Sequence, residues 1–236
     1  MISPSVLPGP GLSSIHAKRT KATLFDLDGV VVFTDKYHYL AWKELSDENH
    51  WSFSEEINHG CRGIPRLASL EVILRHNKVE ATPEQKLAWA DRKNRRYVGL
   101  LRTISADDLY PGVLPFLESL RQRGMKIGLC SSSRNARMVL ENLNLTRLFD
   151  AVVTGDDIAR AKPDPEIFCL GARRLGVEPD VCVVFEDAPS GIAAAIAAGM
   201  KSIGVGSPEL LSNAPAIIQD YSKIDLEALI ETGLPA

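Results

Sequence analysis

An α/β architecture is what this sequence predicts: a doubly wound parallel sheet whose first strand is followed by an inserted set of α-helices. Three observations carry that reading. A short apolar run, Thr23-Leu24-Phe25, ends in Asp26-Leu27-Asp28-Gly29, as a buried parallel strand does when it runs into a turn. From Lys36 to Leu101 the apolar residues recur at helical spacing, with no strand among them. From Tyr110 onward strand-like and helix-like runs alternate, and repeated βα units of this length imply right-handed crossovers.

Taken in order, residues 1–20 are rich in Ser, Pro and Gly and lack acidic residues, which predicts a flexible leader. They show no basic segment followed by an apolar one, so a secretory signal is not expected. After Asp28, Tyr37, Leu40, Ala41 and Leu45 fall at helical spacing between Lys36 and Glu48. Leu67, Leu70, Ile73 and Leu74 share one face of a helix over Pro65–His76. Thr82-Pro83-Glu84 is a helix start, a capping residue followed by proline at the first helical position. That helix runs on through Leu87, Ala90, Tyr97, Val98 and Leu101. Pro111-Gly112 opens a helix with Val113, Phe116, Leu117 and Leu120 inward, and Gly124 ends it. Strands are expected at Lys126–Cys130, Ala151–Thr154, Val181–Phe185 and, last, Ser202–Val205. Helices are expected at Asn135–Leu143, Glu166–Leu175 and Pro189–Ala198. The expected organisation is a leader at 1–20, an α/β core at 21–34 and 106–236, and an inserted helical bundle at 35–105.

Composition narrows the function. A hydrophobic share of 45% and a charged share of 24% suit a soluble globular chain, and 236 residues can bury a sizeable core. A net charge of -3 leaves no electrostatic footprint for nucleic acid or an anionic membrane surface. No apolar run is long enough to span a bilayer. Cys61, Cys130, Cys169 and Cys182 are scattered without metal-ligand spacing, and a reducing cytosol is the expected compartment. The chain is expected to act as a monomer.

Four polar sets follow strands or lie in strand-to-helix loops: Asp26/Asp28, Ser131/Ser133, Lys162 and Glu186/Asp187. Singly, each has a plain alternative. Asp28-Gly29 fits a turn with Asp26 capping a strand end, Glu186-Asp187 an acidic helix start, and Lys162 a solvated loop lysine. Ligands of open α/β sheets, however, bind outside the carboxyl ends of the strands, where all four sets converge. Together they suit phosphoryl transfer. Asp26 can act as nucleophile and form an aspartyl-phosphate. Glu186 and Asp187 join it in a hard-cation site suited to Mg²⁺, to which Asp28 contributes at most its backbone carbonyl. Lys162 offsets this negative charge and can contact the phosphoryl oxygens. Ser131 and nearby backbone N–H groups can hold a further oxygen, and Asp28 is placed to give and take a proton.

In these signatures, Asp26-Leu27-Asp28-Gly29, Ser131, Lys162-Pro163 and Glu186-Asp187, the chain resembles the haloacid dehalogenase superfamily over all but the leader. The resemblance implies a Rossmann-like core with a movable helical cap, and the second aspartate implies phosphotransfer. Within the superfamily the chain is similar to the β-phosphoglucomutase-like subfamily. The similar stretches include Tyr37-His38, Ala41-Trp42-Lys43, Arg62-Gly63-Ile64 with Arg66, Arg92-Lys93-Asn94 with Tyr97, and Ser131-Ser132-Ser133-Arg134-Asn135. By that resemblance Arg66 clamps a phosphate remote from the reaction, and Lys93 touches the substrate from the cap. Ser133, Arg134 and Asn135 bind it from the core, and His38 sits near Asp28. The implied activity is a Mg²⁺-dependent phosphosugar mutase, the alternative a sugar-phosphate phosphatase. A silent binding protein on the same fold is disfavoured, because every charged catalytic position is filled. Phe33 and Pro65 depart from the subfamily pattern in the hinge and the cap loop, where an aspartate and a small polar residue are usual.

Overall fold

The computed structural model describes residues 19–235, so the leader reading falls outside the described residues except at Arg19 and Thr20. Thr20 is not leader. It is buried, its N–H donates to Ile230 O (2.8 Å) and its hydroxyl to Leu229 O (3.0 Å).

The sheet has six parallel strands: β1 (Ala22–Phe25), β2 (Lys126–Cys130), β3 (Ala151–Val153), β4 (Cys182–Glu186), β5 (Lys201–Val205) and β6 (Ile217–Ile218). Their order is β3-β2-β1-β4-β5-β6. The central strand β1 is buried along its whole length, and successive side chains serve opposite faces. Ala22 and Leu24 pack under α7 (Glu166–Leu175) and α8 (Pro189–Ala197). On the other face lie α5 (Val113–Gln122), α6 (Ala136–Asn142) and α9 (Leu226–Thr232). There Phe25 stacks on Phe185 with centroids 4.7 Å apart and meets Phe116 and Phe149 edge-on. Because the strand order reverses direction between β1 and β4, the crossovers leave a crevice at the carboxyl ends of these two strands. Phe25 pairs with Phe185, and Asp26 N–H donates to Phe185 O (3.0 Å), so Asp26 and Glu186 emerge side by side.

Between β1 and α5 lie α1 (Asp35–Glu48), α2 (Glu55–His59), α3 (Arg66–His76) and α4 (Pro83–Leu100). Their far ends share a small core of their own, with Trp42, Leu45, Ile57, Leu70, Ile73 and Ala90. Their roots do not: Tyr37, Ala41, Tyr97 and Leu101 join the core of the sheet. Thr82 closes the start of α4 with a full capping box, its side chain accepting from Gln85 N–H and Gln85 answering at Thr82 N–H.

Three readings need correction. The sheet does not end at β5, since β6 and α9 follow, and α2 was not foreseen. Leu40, Leu67 and Leu87, which fit the helical spacing of apolar residues, are about half exposed. Pro65 caps α3 from outside rather than forming part of it. Among the described residues no helix is long and apolar enough to cross a membrane.

Candidate active site

At the β1–β4 crevice one cation faces the carboxylates at close range. Lys162 Nζ donates to Asp26 Oδ1 (2.5 Å) and Glu186 Oε2 (2.7 Å), and all three side chains are buried or nearly so. Burial alone would lower the Lys162 ammonium, but Asp26 and Glu186 outweigh it and hold it above the ordinary lysine range. The second Asp26 oxygen accepts from Asp28 N–H (3.1 Å), which fixes the carboxylate plane.

Among the described residues no cation pairs with the Asp187 side chain in this way. Burial, Glu186 and Asp26 push its carboxyl well above the usual range. Carboxylate oxygens of Asp26, Glu186 and Asp187 lie within 4.8 Å of one another. Three acids around one lysine, all offering oxygen, fit a small hard dication. Asp187 also leans over Gly29, where an added Cβ would stand 2.1 Å from Asp187 Oδ2 and where φ is +77°. Only glycine lets the turn after Asp28 pass under that carboxylate.

The Asp28 side chain is outside this cluster. Its Oδ1 accepts from the Thr34 hydroxyl, and His38 Nε2 lies 3.9 Å away. Burial and then Asp26 push its carboxyl up to about 6. His38 Nδ1 faces Lys93 Nζ at 2.7 Å, and its ring stacks on Tyr97. Burial and the Lys93 charge hold His38 well below the ordinary imidazole range, so it is neutral. A neutral ring that accepts from Lys93 at Nδ1 carries its proton on Nε2, toward Asp28. Lys93 itself is 2% exposed, between the rings of Trp42 (4.9 Å) and Tyr97 (4.7 Å). Burial and Arg66 pull its ammonium down to about 7.

These groups open into a cleft of about 400 Å³ between the α1–α4 helices and the sheet. Arg66 lines it from α3 and Arg134 from the loop after β2. Burial, with the like charge of Arg134, lowers the Arg66 guanidinium. Arg66 lies 3.9 Å from Asp91, and Arg134 lies 3.1 Å from Asp156. Ser133 and Asn135 line the same wall, and Asn135 Nδ2 donates to Asn94 Oδ1 across the cleft (2.9 Å).

Ser131 is placed differently from the rest. It is buried, its Oγ accepts from Ser133 N–H (3.1 Å), and Ser133 Oγ accepts from Asn135 N–H (3.2 Å). Two backbone N–H groups read as available to a phosphoryl oxygen are therefore already engaged within the loop. Sequence reasoning also missed Thr34, which holds Asp28, and the roles of Trp42, Tyr97 and Asn94. Thr34 carried a signal: it follows the strand in the stretch that leads into α1.

A family model described as haloacid dehalogenase-like hydrolase matches residues 20–199. The chain is 40% identical to β-phosphoglucomutase of Bacillus subtilis over 213 residues, 89% of this chain and 94% of that one. It is 33% identical to a fructose-1-phosphate phosphatase of Escherichia coli, over 80% of this chain and 97% of that one. The crystal structure of β-phosphoglucomutase from Clostridium difficile superposes with a TM-score of 0.85 at 36% identity, over 90% and 96% of the two chains.

Proposed function

The chain belongs to the haloacid dehalogenase-like hydrolase family, and from that premise we propose that it is a Mg²⁺-dependent phosphosugar mutase converting β-glucose 1-phosphate to glucose 6-phosphate. The observation that carries this is the cap side of the cleft. A buried Lys93–His38 pair stands over Asp28, and Arg66 and Arg134 sit together in the same cavity. Such a cleft suits a sugar with phosphate chemistry at both ends.

In the first half-reaction Asp26 attacks the phosphorus of a bisphosphate or phosphorylated donor. The P–O bond to the sugar breaks, and the leaving oxygen takes the proton carried by Asp28. In the second, a hydroxyl of the bound sugar phosphate gives its proton to Asp28 and takes the phosphoryl group from Asp26. Lys162 keeps the Asp26 oxygen oriented and offsets its charge. Arg66, Arg134 and Ser133 hold the phosphate that does not react, and a guanidinium is suited to do so in bidentate fashion. Mg²⁺ would be held by Asp26, Glu186 and Asp187 and would supply charge neutralisation at the transferring group.

The same half-reaction with water as acceptor is a phosphatase, the activity named for the Escherichia coli relative. Purified protein incubated with β-glucose 1-phosphate, Mg²⁺ and a bisphosphate primer should give glucose 6-phosphate. Inorganic phosphate without isomerisation would reject the mutase reading.

A further inference from the structure

We propose that Glu166 is a positioning residue that straps the Lys162 loop to α7 and thereby aims Lys162 at Asp26. Both oxygens of its carboxylate grip the loop backbone: Ala159 N–H donates to Oε1 (3.0 Å) and Arg160 N–H to Oε2 (2.9 Å). The grip lies two residues before Lys162, whose ammonium must reach both Asp26 and Glu186. The rest of the loop is tied to the same point. Glu166 N–H donates to Asp164 Oδ1 (2.9 Å), Asp164 N–H to Ala161 O (3.0 Å), and Arg160 Nε to Asp164 Oδ2 (2.6 Å). Glu166 is the first residue of α7, whose Ile167 and Phe168 are fully buried, so the strap is anchored to a rigid element. Ile158, Ala159 and Ala161 also form part of the cleft wall, so the strap shapes the cavity as well. A carboxylate taking two successive backbone N–H groups, with the Arg160 guanidinium 3.5 Å from Oε2, fixes loop position more tightly than one contact would. Phosphoryl transfer is sensitive to such placement, because a shift of about 1 Å can cost about 100-fold in rate.

This role rests on the reading of Asp26 as phosphoryl acceptor, and the test separates the two. Glu166→Gln leaves one acceptor and turns an N–H toward a backbone donor. Glu166→Asp keeps the negative charge at the start of α7 but is one methylene short of the loop. Both variants should lower kcat about 10- to 100-fold with KM for the sugar phosphate moved about twofold or less. In both, amide exchange should speed up in peptides covering 155–165, with the peptides around β1 and β4 unchanged. Arg173→Ala, which removes an exposed side chain in the last turn of α7 and leaves the strap, should match wild type in both measurements. A Glu166→Asp variant with wild-type kcat would overturn the strap in favour of simple helix-start charge. So would exchange that rises everywhere rather than in the loop. Wild-type enzyme that turns over beside two unimpaired variants overturns the positioning role alone. A wild type that transfers no phosphoryl group overturns the functional reading, and Glu166's task with it.

Discussion

Asp28 and Asp187 are both acids in one small volume, yet their surroundings give them different work. Thr34 and His38 hold the Asp28 side chain away from the other three carboxylates, and its pKa of about 6 suits a group that must both give and take protons near neutrality. Asp28→Asn should therefore lower turnover about 10²- to 10⁴-fold while leaving the Mg²⁺ concentration for half-activation nearly unchanged. Asp187→Asn should do the reverse and raise the Mg²⁺ requirement first, since it strips charge from an oxygen site. Titrating Mg²⁺ against activity for both variants checks the pair, and rescue of Asp28→Asn by excess Mg²⁺ would make Asp28 a ligand. Lys93 allows a prediction about stability. Its folded pKa of about 7 lies below the ordinary lysine value, so the unfolded chain binds more protons between about pH 7 and 10.4. Over that window the Lys93 contribution grows more favourable as pH rises. Lys93→Met should raise the melting temperature most below pH 7, with the gain shrinking toward pH 10. Thermal unfolding across that range tests it, and an equal gain at every pH would contradict it.

Elements with strong local chemistry were legible in the sequence. The Thr82-Pro83 start of α4 and the apolar face of α5 could be read because caps and 3.6-residue periodicity are local properties. β1 and β4 could be placed because their buried runs end in the charged residues of the site. The five-residue α2 and the two-residue β6 are too short for a periodic pattern. Leu67 and Leu87 match their helices' apolar pattern but line the cleft, a tertiary fact that spacing does not carry. Asp26, Lys162, Glu186 and Asp187, which the fold brings together, were legible as a set because each sits just beyond a strand or in a strand-to-helix loop. Thr34 and Trp42 were not: Thr34 lies six residues beyond Asp28 in an irregular stretch, and an aromatic ring on a helix usually serves packing. The same locality predicts a separation of stability from chemistry in α4. Thr82 lies eleven residues before Lys93, roughly 16 Å along the helix at 1.5 Å per residue. Thr82→Ala should cost about 1 kcal/mol of stability through the lost cap. kcat should stay at the wild-type value, which denaturant unfolding alongside steady-state kinetics can verify.

At the scale of the whole molecule the proposed function turns on whether water or sugar reaches a phosphorylated Asp26, and that depends on how α1–α4 meet the sheet. Two strands of chain join them side by side. Phe33 N–H donates to Asp108 O (2.7 Å), Tyr110 N–H to Val31 O (3.0 Å), and the Phe33 ring stacks on Tyr110 at 4.7 Å. Asp108 ties the return strand to α1 by accepting from Tyr37 Oη (2.9 Å) and pairing with Lys36. Phe33 thus lays an aromatic contact across the two connections. On the far side of the cleft, Gly63 of the cap loop rests against the start of α8. A Cβ there would stand 2.8 Å from Ala188 Cβ, with φ at +68°. Neither the space nor the backbone admits a larger residue without lifting the loop that leads to Arg66. Lifting it would open the cleft to solvent beside Asp26 while leaving the four core residues in place. Gly63→Val should then lower glucose 6-phosphate formation and raise the share of turnovers that end in inorganic phosphate, because a cap that no longer seats lets water compete as acceptor. Simultaneous assay of both products decides it. A variant slower in both products by the same factor would show that the contact serves assembly of the site rather than exclusion of water.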